Sequence, residues 1–285
     1  MRKKILILFC MLIAFTVIGC NNSNKIPAPE DYTLIWHDEF NGNEIDFEKW
    51  AFQLGTGTDY GLTQWGNNEE QFYQGTENAF VRDGTLIIEA RRENAPQYME
   101  YTSARLYTKP FFSFIYGRIE VRLRLPHQQG LWPAVWLMPA DDVYGGWAAS
   151  GELDLFEANC GNPERYTVAA HFGGAWPTNI HSGATYNFPQ GRSITDYNIY
   201  ALEWSPGLLE WFINDELVYS LDNWYSVDSD GNMHPFPAPF NQNFYLLLNM
   251  AVGGNYIGNT LPPDDFESAG MEIDYVRVFQ RTQNN

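Results

Sequence analysis

Glu152, Asp154 and Glu157 stand close together in the run Gly151-Glu152-Leu153-Asp154-Leu155-Phe156-Glu157. Carboxylates threaded through an apolar stretch are raw material for acid/base chemistry. On an extended chain Glu152 and Asp154 share one face, with Leu153 and Leu155 on the other. Glu157 falls out of step by one residue, and a β-bulge near Leu155-Phe156 returns it to the acidic face. A helix does worse, fanning the three acids across more than half its circumference at about 100° per residue. Three acids on one face repel, and burial raises their pKa values. The chemistry that fits is paired-carboxylate cleavage of a glycosidic bond. Five residues of bulged strand span about 13–16 Å, and glutamate arms leaning together leave a carboxyl gap of about 5–8 Å. Retention needs about 5–5.5 Å and inversion about 6.5–9.5 Å, so the span admits both and leans to the first. The competing reading is an exposed acidic edge strand, against which Leu155-Phe156 and the flanking tryptophans argue for a central one.

Such a strand needs a sheet to hold it. Period-two alternation between turn signals runs through Tyr32–Trp36, Thr85–Ala90, Thr102–Tyr107, Tyr116–Leu125, Ala134–Met138, Glu152–Ala158, Thr167–Phe172, Asn198–Trp204, Leu208–Ile213, Glu216–Leu221, Phe244–Ala251 and Met271–Gln280. Asp83-Gly84 and Asn214-Asp215 read as hairpin turns. Short helical pieces are expected around Glu44–Trp50 or in loops, and loops around 55–66, 141–150, 173–190 and 223–240. Many evenly spaced strands predict an all-β fold, a jelly-roll β-sandwich of two antiparallel sheets with a concave cleft. In Leu131–Met138 one set of alternate residues is Trp132, Ala134 and Trp136, the other Pro133, Val135 and Leu137. One set fills the core; the tryptophans either line a concave outer face or are buried too.

The ends of the chain read differently. Arg2-Lys3-Lys4, an apolar stretch Ile5–Ile18 and then Gly19-Cys20 form a leader too short to span a bilayer stably. Val17-Ile18-Gly19-Cys20 is similar to a bacterial lipoprotein cleavage box, the alternative being an ordinary signal peptide with an incidental cysteine. The expected division is a lipoprotein signal peptide at 1–19, lipidation of Cys20, a flexible tether over 20–30 and one catalytic domain over 31–282. Without Arg2, Lys3 and Lys4, 14 basic residues face 35 acidic ones, a charge near −21. That balance argues against nucleic acid and anionic polymers as partners and favours a neutral substrate. Ten tryptophans and 16% aromatic content suit stacking on sugar rings, with core packing the plainer use of any one ring. Cys160 alone would remain unmodified, so no internal disulfide is available and the fold rests on its core.

Several motifs occur in order: Trp36-His37-Asp38-Glu39-Phe40-Asn41-Gly42, Trp65-Gly66-Asn67-Asn68-Glu69, Tyr101-Thr102-Ser103-Ala104-Arg105, Tyr116-Gly117-Arg118-Ile119-Glu120 and Trp132-Pro133-Ala134-Val135-Trp136. Ser150–Glu157, Tyr200-Ala201-Leu202-Glu203-Trp204, Asn249–Asn255 and Asp274-Tyr275-Val276-Arg277-Val278 follow. Together, over about residues 32–280, they resemble glycoside hydrolase family 16, in its laminarinase-like branch.

The resemblance implies an endo-acting, retaining glycosidase for neutral β-1,3-glucans such as laminarin, extending to mixed-linkage β-1,3-1,4-glucan. It casts Glu152 as nucleophile, Glu157 as general acid and then base, and Asp154 as the group that orients Glu152. Trp132 and Trp136 become floor residues of the cleft, Trp147 a wall, and Asn68 and Arg105 hydrogen-bonding groups for the sugar upstream of the cut. His171 becomes a border of the leaving-group side, although Val168-Ala169-Ala170-His171 departs from the commoner spacing. Catalysis needs no cofactor, while a structural Ca²⁺ of the family would fall to Glu39, the Gly84 carbonyl and Asp274. The implied protein is a monomer, lipid-anchored to a bacterial cell envelope at the outer membrane or cell surface. The alternatives are a red-algal, agarose-type galactan hydrolase, a lichenase confined to mixed-linkage glucan, or a non-catalytic glycan-binding lipoprotein.

Overall fold

A computed structural model describes residues 28–282. The leader 1–19, Cys20 and tether residues 21–27 lie outside the described residues, so the leader and lipidation expectations fall there as well.

Strands stack in two layers. The first runs Asn179–Asn187, Arg165–Gly173, Glu152–Glu157, Leu131–Pro139, Phe244–Val252, Tyr101–Tyr107, each antiparallel to the next. The second runs Glu216–Leu221, Leu208–Ile213, Asn198–Ser205, Gly117–Arg124, Ser268–Arg281, with Tyr32–Asp38 and Thr85–Arg92 along the far side of the last. Tyr101–Tyr107 belongs to both layers, since Tyr101 and Thr102 also pair with Arg92 and Arg91. The expected antiparallel sandwich is what forms.

The core lies between the layers because alternation sends one set of side chains there. Along Leu131–Pro139, Leu131, Val135 and Leu137 are buried completely, while Trp132, Trp136 and Met138 remain partly exposed on the outer side. Leu153, Leu155 and Phe156 meet Val121, Leu202, Trp211 and Val276 in the same core. Burying each such side chain stabilises the fold by about 1.5–3 kcal/mol, enough to dispense with disulfides. Cys160 is a free, buried thiol, and burial raises its pKa.

Local chemistry explains the hairpins. Asp83 and Gly84 have φ of 52° and 74°, and Asn214 and Asp215 have 47° and 65°, the doubly positive pattern that a two-residue turn on right-twisted strands demands.

Of the two places expected for short helices, the loops hold them, at Thr58–Tyr60, Gln64–Gly66, Pro96–Tyr98 and Asn255–Ile257, and one expected loop holds a strand. Among the described residues the Glu44–Trp50 region forms no helix; one turn closes when the Lys49 and Trp50 N–H groups donate to Asp46 O, at 3.0 Å each. Trp50 then buries its ring and donates its indole N–H to Asp38 Oδ2 at 2.9 Å, a tertiary anchor that outweighs helix propensity. Within the segment 173–190, Asn179–Asn187 is a nine-residue edge strand. Of one alternating set, Ser182, Ala184 and Tyr186 are only half-buried and Ile180 is exposed, so little hydrophobic rhythm announces the strand.

Candidate active site

The bulge is where spacing required it. Val135 pairs with Phe156 and Trp136 with Asp154, so Leu155 is the extra residue in the Glu152–Glu157 strand. The strand turns Leu153, Leu155 and Phe156 to the core, and Glu152, Asp154 and Glu157 line the cleft together. Trp211, reaching across the core from the opposite layer, donates its indole N–H to Asp154 O at 2.9 Å, so a carbonyl beside the bulge keeps a partner. Just before the strand, Gly151 has φ of 87°, and a Cβ there would sit 2.8 Å from the Phe240 ring. Only glycine suits that turn.

The cleft encloses roughly 440 Å³. Each outer carboxylate has its own indole: Trp147 Nε1 donates to Glu152 Oε2 at 2.7 Å, and Trp132 Nε1 to Glu157 Oε1 at 3.0 Å. Trp132 is also stacked on Tyr256, whose hydroxyl donates to Glu157 O. His171 stands opposite Glu152 on the neighbouring strand, with Nε2 3.1 Å from Asp154 Oδ2 and 3.8 Å from Glu152 Oε1. Burial works against its charge, but the Asp154 hydrogen bond and the surrounding carboxylates outweigh that and lift its pKa to about 9. His171 is therefore an imidazolium at neutral pH.

Burial, first, and the Asp154 charge, second, raise the pKa of Glu152 to about 7, with His171 and the Trp147 N–H opposing. Burial and the charges of both Asp154 and Glu152 push Glu157 well above the ordinary carboxylate value. Both outer carboxyls bind a proton more tightly than a free glutamate does, which for Glu157 is what an acid that must start protonated needs.

The other arm of the cleft is a sandwich of rings and charge. The Arg105 guanidinium lies 4.4 Å from the Trp65 ring centroid and 4.7 Å from that of Trp136. Trp136 Nε1 donates to Asn249 Oδ1 at 2.7 Å, Asn249 Nδ2 to the Tyr73 hydroxyl, and that hydroxyl to Glu69 Oε2. Glu69 is buried, which raises its pKa, with the nearby Arg105 charge pulling it back.

Most positions named from sequence converge here: Glu152, Asp154, Glu157, Trp132, Trp136, Trp147, Arg105 and His171 all line the cleft. Asn68 does not. Its φ of 56° turns the side chain out to donate to Asn255 Oδ1 at 2.7 Å, and Asn67 lines the cleft in its place. Asn249 was overlooked as a site residue, although it is the lone polar residue in the run Phe244–Val252. Tyr256 sits in the short 3₁₀ turn Asn255–Ile257 and carries no comparable signal.

The calcium expectation fits poorly. Asp38 pairs with Val276 and Leu86 with Ile273, so Glu39, Gly84 and Asp274 meet along one edge of the long C-terminal strand. However, both Glu39 oxygens accept from Arg277, at 2.9 and 2.7 Å, and Asp274 accepts from Arg122 at 2.5 Å. Guanidinium groups neutralise those carboxylates, and the residues as placed do not form an oxygen cage for a hard cation. The other acidic cluster, Glu152, Asp154 and His171, brings donor atoms within 4.8 Å of one another, and there the imidazolium supplies the balancing charge.

Residues 66–276 match the family described as Glycosyl hydrolases family 16. The chain is 41% identical over 266 residues to glucan endo-1,3-beta-glucosidase A1 of Niallia circulans, covering 89% of this chain and 39% of that protein. It is 37% identical to a beta-glucanase of Rhodothermus marinus, covering 98% of this chain and 95% of the relative. Among solved structures, the laminarinase catalytic domain of Thermotoga maritima superposes with a TM-score of 0.76 at 33% identity, covering 88% of this chain and 99% of that one.

Proposed function

The chain belongs to glycosyl hydrolase family 16, and from that premise we propose that it is an endo-acting β-1,3-glucanase that cuts laminarin-like chains with retention, and mixed-linkage β-1,3-1,4-glucan as well. The observation that carries the reading is the set Glu152, Asp154 and Glu157 on one cleft face, with raised proton affinity and an indole donor on each outer carboxylate. Glu157 gives its proton to the glycosidic oxygen as Glu152 attacks the anomeric carbon and the leaving sugar departs. Glu157, now a carboxylate, takes a proton from water; the oxygen adds to the same carbon and Glu152 is released. The Trp147 N–H holds Oε2 of the nucleophile, which leaves Oε1 for attack. Asp154 and the His171 imidazolium flank Glu152; the imidazolium favours its charged form, against the Asp154 charge that opposes it.

The aromatic, uncharged character of Trp132 and Trp136, together with the surplus of acid on the chain, supports a neutral glucan. The Val17-Ile18-Gly19-Cys20 box supports lipidation at Cys20 and a place on the bacterial cell envelope, as a monomer at the end of the 20–30 tether.

Reducing-sugar release from laminarin, curdlan, lichenan and agarose tests the substrate, and proton NMR of the first product tests retention. Release from laminarin with the β-anomer first is the expected result. Release from agarose alone, or binding to laminarin on affinity gels with release from nothing, would replace this reading by the galactanase or the binder. A Cys20→Ser chain appearing in the soluble fraction tests the anchor.

A further inference from the structure

The turn that carries Trp147 is held from elsewhere in the chain. It joins Leu131–Pro139 to Glu152–Glu157, and its carbonyls from Gly145 to Ser150 all accept a hydrogen bond. Three donors are local: Ser150 Oγ to Gly145 O at 2.6 Å, Ala149 N–H to Gly146 O at 2.8 Å and Gly151 N–H to Ala148 O at 2.9 Å. The other three come from distant segments. Trp176 N–H donates to Trp147 O at 2.9 Å, Ser226 Oγ to Ala149 O at 2.7 Å and Gln242 Nε2 to Ser150 O at 3.1 Å. Ala148, Ala149 and Ser150 are almost wholly buried, where a carbonyl without a donor is costly.

The partner segment is itself well anchored. Ser226 lies on the two-residue strand Ser226–Val227, paired with Gly173 on one side and His234 on the other, and is fully buried. The Gln242 amide also donates to Pro239 O at 3.2 Å, so one buried side chain ties the turn to the loop beside it. Nearer the surface the Tyr144 hydroxyl donates to Asn241 Oδ1 at 2.7 Å, and its ring packs on His234 with centroids 4.8 Å apart.

What the turn delivers to the cleft is one N–H. Trp147 Nε1 donates to Glu152 Oε2 at 2.7 Å, a bond that favours the carboxylate. Asp154 and Glu157 from its own strand, His171 from the neighbouring strand, Arg105 from Tyr101–Tyr107 and the Tyr245 phenol from Phe244–Val252 also face Glu152. None of those groups sits on the turn, so a shift in the turn moves the indole and leaves them in place. We infer that Ser226 and Gln242 are positioning residues for the reaction: they fix the turn 145–150 and so keep the Trp147 N–H on the nucleophile. The inference rests on the retaining glucanase reading above and deepens it, by naming residues that act on Glu152 through another side chain.

The test measures kcat/KM on laminarin against pH for Ser226→Ala, Gln242→Met and Trp147→Phe, and for each of the first two combined with the third. Losing the indole N–H should move the acid limb of Trp147→Phe to higher pH. Ser226→Ala and Gln242→Met should move it the same way by about half a unit, a drop of about threefold near pH 6, with the alkaline limb in place. In the Trp147→Phe background neither should move the limb further. Melting curves check the fold, and Gln242→Met, close in shape to the parent, decides the matter where Ser226→Ala does not fold. A fall of equal size at every pH, an unmoved limb, or a limb that moves as far again without the indole overturns the inference. An unmodified enzyme inert on laminarin would instead sink the glucanase reading, which an unmoved limb in active variants leaves intact.

Discussion

His171 Nε2 lies 3.1 Å from Asp154 Oδ2, and that contact makes the imidazole a fixed cation between two acids. It touches Glu152 more distantly, at 3.8 Å, and lowers the cost of ionising it.

His171→Ala should therefore raise the pKa of Glu152 above its value of about 7. The nucleophile must be ionised, so the acid limb of the kcat/KM profile should move to higher pH by about one unit. Activity near pH 6 should drop about tenfold. A profile of unchanged shape would show that His171 does not act through charge.

Glu152→Ala and Glu157→Ala should each cost roughly a thousandfold or more on laminarin while the fold melts normally. An aryl glycoside with a good leaving group should restore the first step of Glu157→Ala only, because that departure needs no proton. Burst kinetics of aryl release would detect it.

Buried like charges should also be read in stability. The folded pKa of Glu152 is raised from 4.5 to about 7, so the folded state binds the extra proton more tightly. Its stabilising contribution is complete below the unfolded value and disappears as pH rises through the folded one. Glu152→Gln should then match the parent chain near pH 4.5 and exceed it by roughly 2–6 °C in Tm near pH 8. Melting curves across that window give the answer, and a constant difference would contradict the shift.

Chelation should do little. With Glu39 held by Arg277 and Asp274 by Arg122, EDTA is expected to leave both Tm and laminarin hydrolysis unchanged. Arg277→Ala, which strands a partly buried Glu39, should cost about 2–3 kcal/mol in a urea melt.

Much of this was legible beforehand because it depends on period-two bookkeeping. The bulge at Leu155 followed from an odd spacing between acids that had to share a face, and the tryptophan face followed from alternation along Leu131–Pro139. Both hairpins followed from residues that tolerate positive φ. What stayed hidden depended on contacts between distant segments. Asn67 and Asn68 are neighbours of one type, and only the partner at Asn255 decides which faces the cleft. Glu39 and Asp274 read as cation ligands until Arg277 and Arg122 arrive beside them from the fold. Asn179–Asn187 buries too little on either side to leave a hydrophobic rhythm.

The supernumerary Leu155 makes the catalytic segment respond unequally to gaining and to losing length. Excising it would leave four steps between the two glutamates on a regular ribbon, an even count, so both would still look outward, at the cost of one packed side chain. Inserting a residue beside it gives six steps, and if the bulge is kept the effective count is odd and Glu157 is driven in among Val121, Leu202 and Trp211, where a carboxylate has no water. At this spot a shorter chain is survivable, and a longer one only if it gives up the bulge.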